Sequence, residues 1–317
     1  MPAQNPWTTA GVANILTPGC AVGDVFYVDG ENGSDSVLNA GVDPMSPLLT
    51  ITRALALCTD DENDVIIVLN YPETHPGGDE ASPIVINKNR VHLLGAAYPY
   101  KTGDPKAYLQ TPDVAAPVFH VTARWCEIAY FKLAGGTAHG CIKVDDADGG
   151  IETKGLCVHH CVFGEKYNAT AGSPTYGIDA SDLSVGNWMV IAENRFYQPI
   201  QSSAIIIRNA ANPHIIGNMF ICCGDTDGSP ILDLSTGGCA YGVIADNYFA
   251  IATANVALAG GAITLASATY GFLIANNMAN CGMATMAANP YGDTDGGVAN
   301  KNAWMGNIKG DAYTAPA

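Results

Sequence analysis

Charge is what this chain has least of. Of its 317 residues 14% are charged, well below the roughly 25% of an ordinary soluble domain. Only 14 are Lys or Arg, they form no basic run, and the net charge is −16. Displacing counterions from a nucleic-acid duplex needs clustered cations, so no nucleic-acid partner is expected. Attraction to an anionic membrane surface is disfavoured on the same ground. Long apolar runs are also missing. The uncharged stretch 247–292 is interrupted throughout by Asn, Thr, Ser and Gly, so no membrane-spanning helix is expected. Residues 1–22 lack a basic start and a continuous apolar segment, which predicts no signal peptide and folding in the cytoplasm where the chain is made. Ten cysteines are scattered without a CxxC pair. Most lie in apolar runs and are expected as buried free thiols. No Ser/His/Asp elbow, phosphate loop or dinucleotide motif is present, and no cofactor is expected.

What the chain has in abundance is repetition. Asn194, Asn218, Asn247, Asn277 and Asn307 each close a short apolar run, at intervals of 24, 29, 30 and 30 residues, and the first three are followed two places later by Phe196, Phe220 and Phe249. A period in this range marks a stack of similar units, each packing on its neighbours. From about residue 84 onward, Ile- and Val-rich runs of 4–8 residues alternate with Gly, Asp and Asn, with no helical pattern between them. The span holds roughly seven or eight such coils. Asn tolerates left-handed backbone at a turn, and stacked amides can bond to one another along an axis. Both readings suit the asparagine slot, with the following Phe stacked inward. Aligning HHCVF with ENRF puts Cys161 in that slot, and Tyr130 lies about one coil earlier.

The first 72 residues divide in two. Residues 1–23, punctuated by Pro and Gly, read as an extended N-terminal arm. In 24–72 a strand VFYV runs into a turn rich in Gly, Asp and Ser. A short helix follows, with Ile51, Leu55 and Cys58 on one face and Pro47 or Thr50 at its start, then the apolar strand VIIVL at 65–69. This strand–helix–strand stretch resembles the N-terminal cap of right-handed parallel β-helix proteins of the pectin-lyase-like superfamily. The resemblance implies an all-β chain: a short capping helix in 24–72, and a single β-helix over 73–317. It also implies likeness to bacteriophage virion proteins of the decoration and tailspike type, which assemble as trimers of parallel β-helices.

Residues 196–292 carry only Arg208, Asp225, Asp227, Asp233 and Asp246 as charges. Outward strand positions in water usually carry Lys, Glu or Arg, whereas interface cores are depleted in charge. Either copies of the chain cover this surface in a closed homo-oligomer, or the face is simply bland.

The candidate chemistry is thin. CVHHC at 157–161 has the residue types zinc prefers, but along an extended strand Cys157 and Cys161 would share a face about 13 Å apart. GDTDG occurs twice and makes Asp225, Asp227, Asp293 and Asp295 weak calcium candidates, each copy being short of a full oxygen set. No metal is expected. Glycan hydrolysis needs two carboxylates roughly 5–10 Å apart across a groove; Asp145, Asp146, Asp179, Asp182 and Glu193 could supply such a pair. Lyases of the superfamily use a basic residue with Asp-bound calcium, and neither Arg195 nor Arg208 lies in a matching motif. Trp125, Tyr130, Trp188 and Tyr197 would serve sugar stacking or packing alike.

Two functions therefore stand. One is a structural virion protein of a bacteriophage: a homotrimeric capsid decoration or head or tail appendage, its arm touching other virion proteins and its surface meeting the host. The other is a polysaccharide lyase or glycoside hydrolase of the tailspike type acting on an acidic or surface glycan.

Overall fold

The computed structural model describes residues 23–71, 80, 83–96, 107–110, 115–135, 140–146, 153–164, 174–182, 185–197, 200–221, 223, 229–251, 261–281, 291–293 and 302–310. Three parallel sheets run the length of these residues. Sheet I has ten strands: Val25–Asp29, Val65–Asn70, His92–Gly95, Glu127–Ala129, Cys157–His159, Val190–Ala192, His214–Ile216, Val243–Ala245, Leu273–Ala275 and Ala303–Met305. Sheet II has eight: Ala107–Gln110, Phe131–Ala134, Val162–Phe163, Arg195–Tyr197, Met219–Ile221, Tyr248–Ile251, Met278–Cys281 and Ile308–Gly310. Sheet III also has eight: Ile84–Ile86, Phe119–Val121, Gly140–Val144, Tyr176–Ala180, Ile205–Ile207, Leu232–Leu234, Ile263–Leu265 and Tyr291–Asp293. The chain visits I, II and III in turn, and each strand pairs with its equivalents one coil before and after. This is a parallel β-helix, and the eight-stranded sheets match the expected coil number.

Strand alternation decides what faces the axis. In sheet I the inward column reads Leu93, Ile128, Val158, Ile191, Ile215, Ile244 and Ile274, paired rung to rung and fully buried. In sheet II the inward column includes Phe163, Phe196, Phe220 and Phe249, stacked with ring centroids 4.6, 4.9 and 4.8 Å apart. Phe pairs free to choose prefer offset or edge-to-face geometry. Here the strand spacing imposes the stack.

The asparagine ladder sits at the corner between sheets I and II. The Asn218 amide donates to Asn247 Oδ1 (3.0 Å) and to the Ile191 carbonyl (2.8 Å), while Asn247 Oδ1 also accepts from the Asn218 backbone N–H (2.9 Å). The pattern repeats from Asn194 to Asn307, and Cys161 enters it by donating its N–H to Asn194 Oδ1 at 2.9 Å. Each side chain thus satisfies backbone groups that the corner removes from the sheet ladder. The left-handed turn belongs to a different residue than expected. Glu193, Gly217, Asp246, Asn276 and Gly306, each one place earlier, hold φ between 54° and 68°. The slot asparagines point inward, and the residue before them makes the bend.

At the N-terminal end a single short helix, α1 (Ile51–Leu57), lies against the first coil. Thr50 is its N-cap, accepting from the Arg53 N–H. The Glu80 carboxylate accepts from the N–H groups of Ile51 (2.7 Å) and Thr52 (2.9 Å), supplying the negative charge that the helix start favours and its own first turn lacks. Residues 1–22 of the expected arm lie outside the described residues. Cys58, Cys126, Cys141, Cys157, Cys161, Cys223 and Cys239 are free thiols, all but Cys157 buried, as expected.

Candidate functional site

With the inward columns filled by apolar packing, chemistry is confined to the outer faces. These divide the molecule along its axis. Among the described residues, two clusters of ionisable side chains lie between His92 and Glu193, whereas from 196 to 281 the only charged residues described are Arg208, Asp233 and Asp246.

The first cluster lies on the outer face of sheet III. Lys143 Nζ meets Asp182 Oδ2 at 2.6 Å and Asp179 Oδ2 at 3.5 Å, and His120 Nε2 meets Asp145 Oδ2 at 3.3 Å. Strand register brings these together: His120 pairs with Lys143, and Lys143 with Asp179. Burial favours a neutral amine, yet the Asp182 hydrogen bond and the charges of Asp179, Asp182 and Asp145 outweigh it and raise the Lys143 pKa. For Asp182, burial works upward, but the Lys143 and Asp145 hydrogen bonds and the Lys143 and Arg208 charges bring it down.

The second cluster is a row across sheet I. His92 Nδ1 meets Glu127 Oε2 at 2.6 Å, His159 Nε2 meets Glu127 Oε1 at 2.7 Å, the two Nδ1 atoms of His159 and His160 lie 2.8 Å apart, and His160 Nε2 meets Glu193 Oε2 at 2.7 Å. Tyr130 packs on both of the last two imidazoles. Burial alone would raise Glu127; the hydrogen bonds and charges of His159 and His92 overcome it and hold the carboxyl at about 2. His160 is lowered by burial and then by His159, against the pull of Glu193. Closing the three contacts through His159 and His160 takes one proton more than two neutral imidazoles carry.

Of the expected carboxylates, Asp145, Asp179 and Asp182 therefore gather on one face. Glu193 stands in a left-handed turn beside sheet I, with the histidine row. Asp146 follows Asp145 and donates its backbone N–H to Asp145 Oδ1 (3.0 Å). Lys143, His120, Glu127, His92 and His159 were not anticipated. The signal was the alternation in GCIKV and FHV, which puts the polar residue outward. Glycosidic acid catalysis needs a carboxyl with a raised pKa, and proton abstraction needs an amine that can lose its proton. Here both Asp182 and Glu127 move down and Lys143 moves up, the directions opposite to those needs.

Neither metal reading gains support. The chain turns at His160, which sends the partly exposed Cys157 to the outer face of sheet I and buries Cys161 in the core. The two sulfurs do not share a face, contrary to the extended-strand expectation. No group of three or more His, Cys, Asp or Glu side chains among the described residues could hold a metal ion. Asp225, Asp227 and Asp295 lie outside the described residues, and Asp293 ends a strand of sheet III without a described side chain.

Past Arg195 the outer faces of sheets I and II turn apolar. On sheet II the column continues Met219, Tyr248, Met278 and Ile308; on sheet I, His214 is followed by Val243, Leu273 and Ala303, and Ile216 by Ala245, Ala275 and Met305. Met219, Leu273, Met278, Met305 and Ile308 are exposed. These columns flank the asparagine corner and form an apolar ridge of two stripes, parted at its crest by Gly217, Asp246, Asn276 and Gly306. Exposed apolar surface of this extent marks an interaction site.

Several solved structures follow a similar chain path. A rhamnogalacturonan lyase is 13% identical, covering 90% of this chain and 87% of its own, with a TM-score of 0.41. An alginate lyase from Paenibacillus sp. str. FPU-7 is 12% identical, covering 84% and 97%, at 0.43. A pectate lyase is 12% identical, covering 92% and 79%, at 0.46. No family model matches the sequence, and no curated protein matches it. The functional reading accordingly rests on this chain's own residues.

Proposed function

We propose that this chain is a structural protein that works as a side-by-side assembly of its own copies. Its cyclic symmetry would be three-fold, and its setting the surface of a bacteriophage particle, as the sequence resemblance suggests. The observation that carries the assembly is the apolar ridge of sheets I and II from Met219 to Ile308. A protein kept soluble by a net charge of −16 has no need to leave Leu273, Met278, Met305 and Ile308 in water. Burying the part of such side chains still exposed is worth about 1 kcal/mol each, and a cyclic assembly buries the same patch on every copy. Against the glycan-cleaving alternative stand the ion-paired carboxylates and the raised Lys143.

The test is light scattering on the full chain and on a Leu273→Asp/Met305→Asp double variant. The wild type is expected as an oligomer and the variant as single chains with unchanged circular dichroism. A wild-type monomer overturns the assembly. Release of reducing ends or unsaturated uronates from a polysaccharide panel, abolished by Asp179→Asn in a folded variant, overturns the structural reading in favour of catalysis.

A further inference from the structure

We propose that the corner where sheet III passes into sheet I binds an unbranched, neutral 1,4-linked glycan by stacking on Trp125, Trp188 and Tyr241. This corner borders the sheet I side of the apolar ridge, Tyr241 standing two residues before Val243, but the observations that carry the binding are separate from those that carry the assembly.

One backbone slot at this corner recurs on successive coils and is filled by Arg90, Trp125, Gly155, Trp188, Asn212, Tyr241 and Gly271. Hydrogen bonds fix the count of rungs. Trp125 N–H donates to the Lys154 carbonyl, Gly155 to Asn187, Trp188 to Ala211, Asn212 to Ala240 and Tyr241 to Tyr270, at 2.7–3.0 Å. Every residue of the slot has positive φ, between 56° and 72°. Gly and Asn suit that conformation, and a large aromatic does not. Three bulky rings are nevertheless held there, with φ of 58° at each. Left-handed strain kept at non-glycine positions points to function.

The alternation of large and small residues has a geometric result. Trp125 lies over Gly155, where a Cβ would come within 2.0 Å of its ring, and Tyr241 lies over Gly271, where a Cβ would come within 2.8 Å. Trp125 and Tyr241 thus rest on the glycine of the next coil, and Trp125, Trp188 and Tyr241 are 46%, 54% and 58% exposed. Tyr270 stands edge-on to Tyr241, 5.2 Å between centroids, and adds a hydroxyl.

The rings recur every second rung, which at the strand spacing is about 10 Å. Sugars of an extended, equatorially 1,4-linked chain flip at each linkage, so the same pyranose face returns every second residue, over about that length. The axial C–H faces of gluco-configured sugars are flat and apolar and stack on aromatic rings. A net charge of −16 disfavours a polyanion and favours a neutral chain.

The experiment titrates the full chain with cellohexaose, chitohexaose and cellobiose, followed by tryptophan fluorescence and calorimetry, with the oligomer mass measured on the same samples. A hexaose is expected to bind and to shift tryptophan emission, about tenfold more tightly than the disaccharide. Trp188→Ala, removing the middle ring, is expected to weaken binding by about tenfold, and Trp188→Phe to retain most of it. Trp125→Ala gives an independent second reading. Absence of binding by either hexaose overturns the proposal, as does wild-type affinity in both alanine variants. A loss of oligomer mass in Trp188→Ala overturns it as well, because the rings would then be subunit contacts. Binding by a protein that proves monomeric leaves this inference standing and removes the assembly.

Discussion

The two halves of this β-helix share one inner construction and differ on the outside. In the N-terminal half, outward positions are occupied by ionisable side chains that answer one another: Lys143 with Asp179 and Asp182, Glu127 with His92 and His159. In the C-terminal half the Glu127 column of sheet I continues as Val190, His214, Val243 and Leu273, the Lys143 column of sheet III continues as Ile206, Asp233 and Thr264, and order at the corner of sheets I and II comes from the buried amide ladder. The N-terminal coils have no such amide: the equivalent slots hold Phe131 and Cys161, their neighbours Lys132 and Val162 pairing in register with Arg195. A solenoid is free to vary its outer residues coil by coil, because each coil answers only to its neighbours. The difference between the halves therefore reports what each surface meets.

The strongest test of the contrast is within the ladder. Asn247→Ala removes the side-chain partner of the Ile215 carbonyl and of the Asn218 N–H, both in the core, while Asn277 Oδ1 keeps the backbone N–H of residue 247. A loss of about 3 kcal/mol or more is expected in denaturant unfolding. Asp246→Asn, one residue away and exposed, is expected to change stability by less than about 0.5 kcal/mol. Similar values for the two would remove the ladder from the account.

The polar half should respond to acid instead. The Glu127 pKa lies near 2 against an ordinary 4.5. A depressed carboxylate contributes stability that is complete above its unfolded pKa and is lost as pH falls through the folded one. Wild-type stability should thus drop between about pH 4.5 and pH 2, with Glu127 responsible for on the order of 3 kcal/mol. Glu127→Gln should be less stable at neutral pH and converge on the wild type at pH 2–3. Parallel pH curves would contradict the pairing.

The smallest expected effect on chain stability comes from a charge placed on either surface. Val85, exposed on sheet III in the polar half, should accept Asp with a change of less than about 0.5 kcal/mol and no change in oligomer mass. Leu273→Asp should leave the single chain as stable but reduce the mass. Equal masses for the two variants would erase the distinction between the halves.

Much of this was legible in the sequence. The asparagine interval, the Phe two places later and the Thr50 helix start fixed coil length, inward stacking and cap, because backbone spacing repeats them faithfully. The depletion of charge after residue 196 marked the stretch in which Met219, Leu273 and Met278 are exposed, though not that they would be apolar and outward. Less legible were side chains whose meaning depends on which coil lies above. Lys143 and Asp179 are 36 residues apart in number and neighbours only through register. Cys157 and Cys161 looked coplanar because a turn at a non-glycine residue, His160, leaves no composition signal. The aromatic corner was visible only as scattered Trp and Tyr, since its spacing is counted in rungs and not in residues.

The central claim is that the apolar ridge is covered by other copies of the chain, and methionine oxidation tests it directly. Met45, 88% exposed near the capping helix, and Met305, 57% exposed on the ridge, are both open in a single chain. Peroxide converts accessible Met to its sulfoxide at a rate set by exposure. Met305 and Met278 are predicted to oxidise at least about tenfold more slowly than Met45 in the native protein, and to lose that protection in Leu273→Asp. Oxidation of Met305 at a rate close to that of Met45 in the wild type would contradict the account.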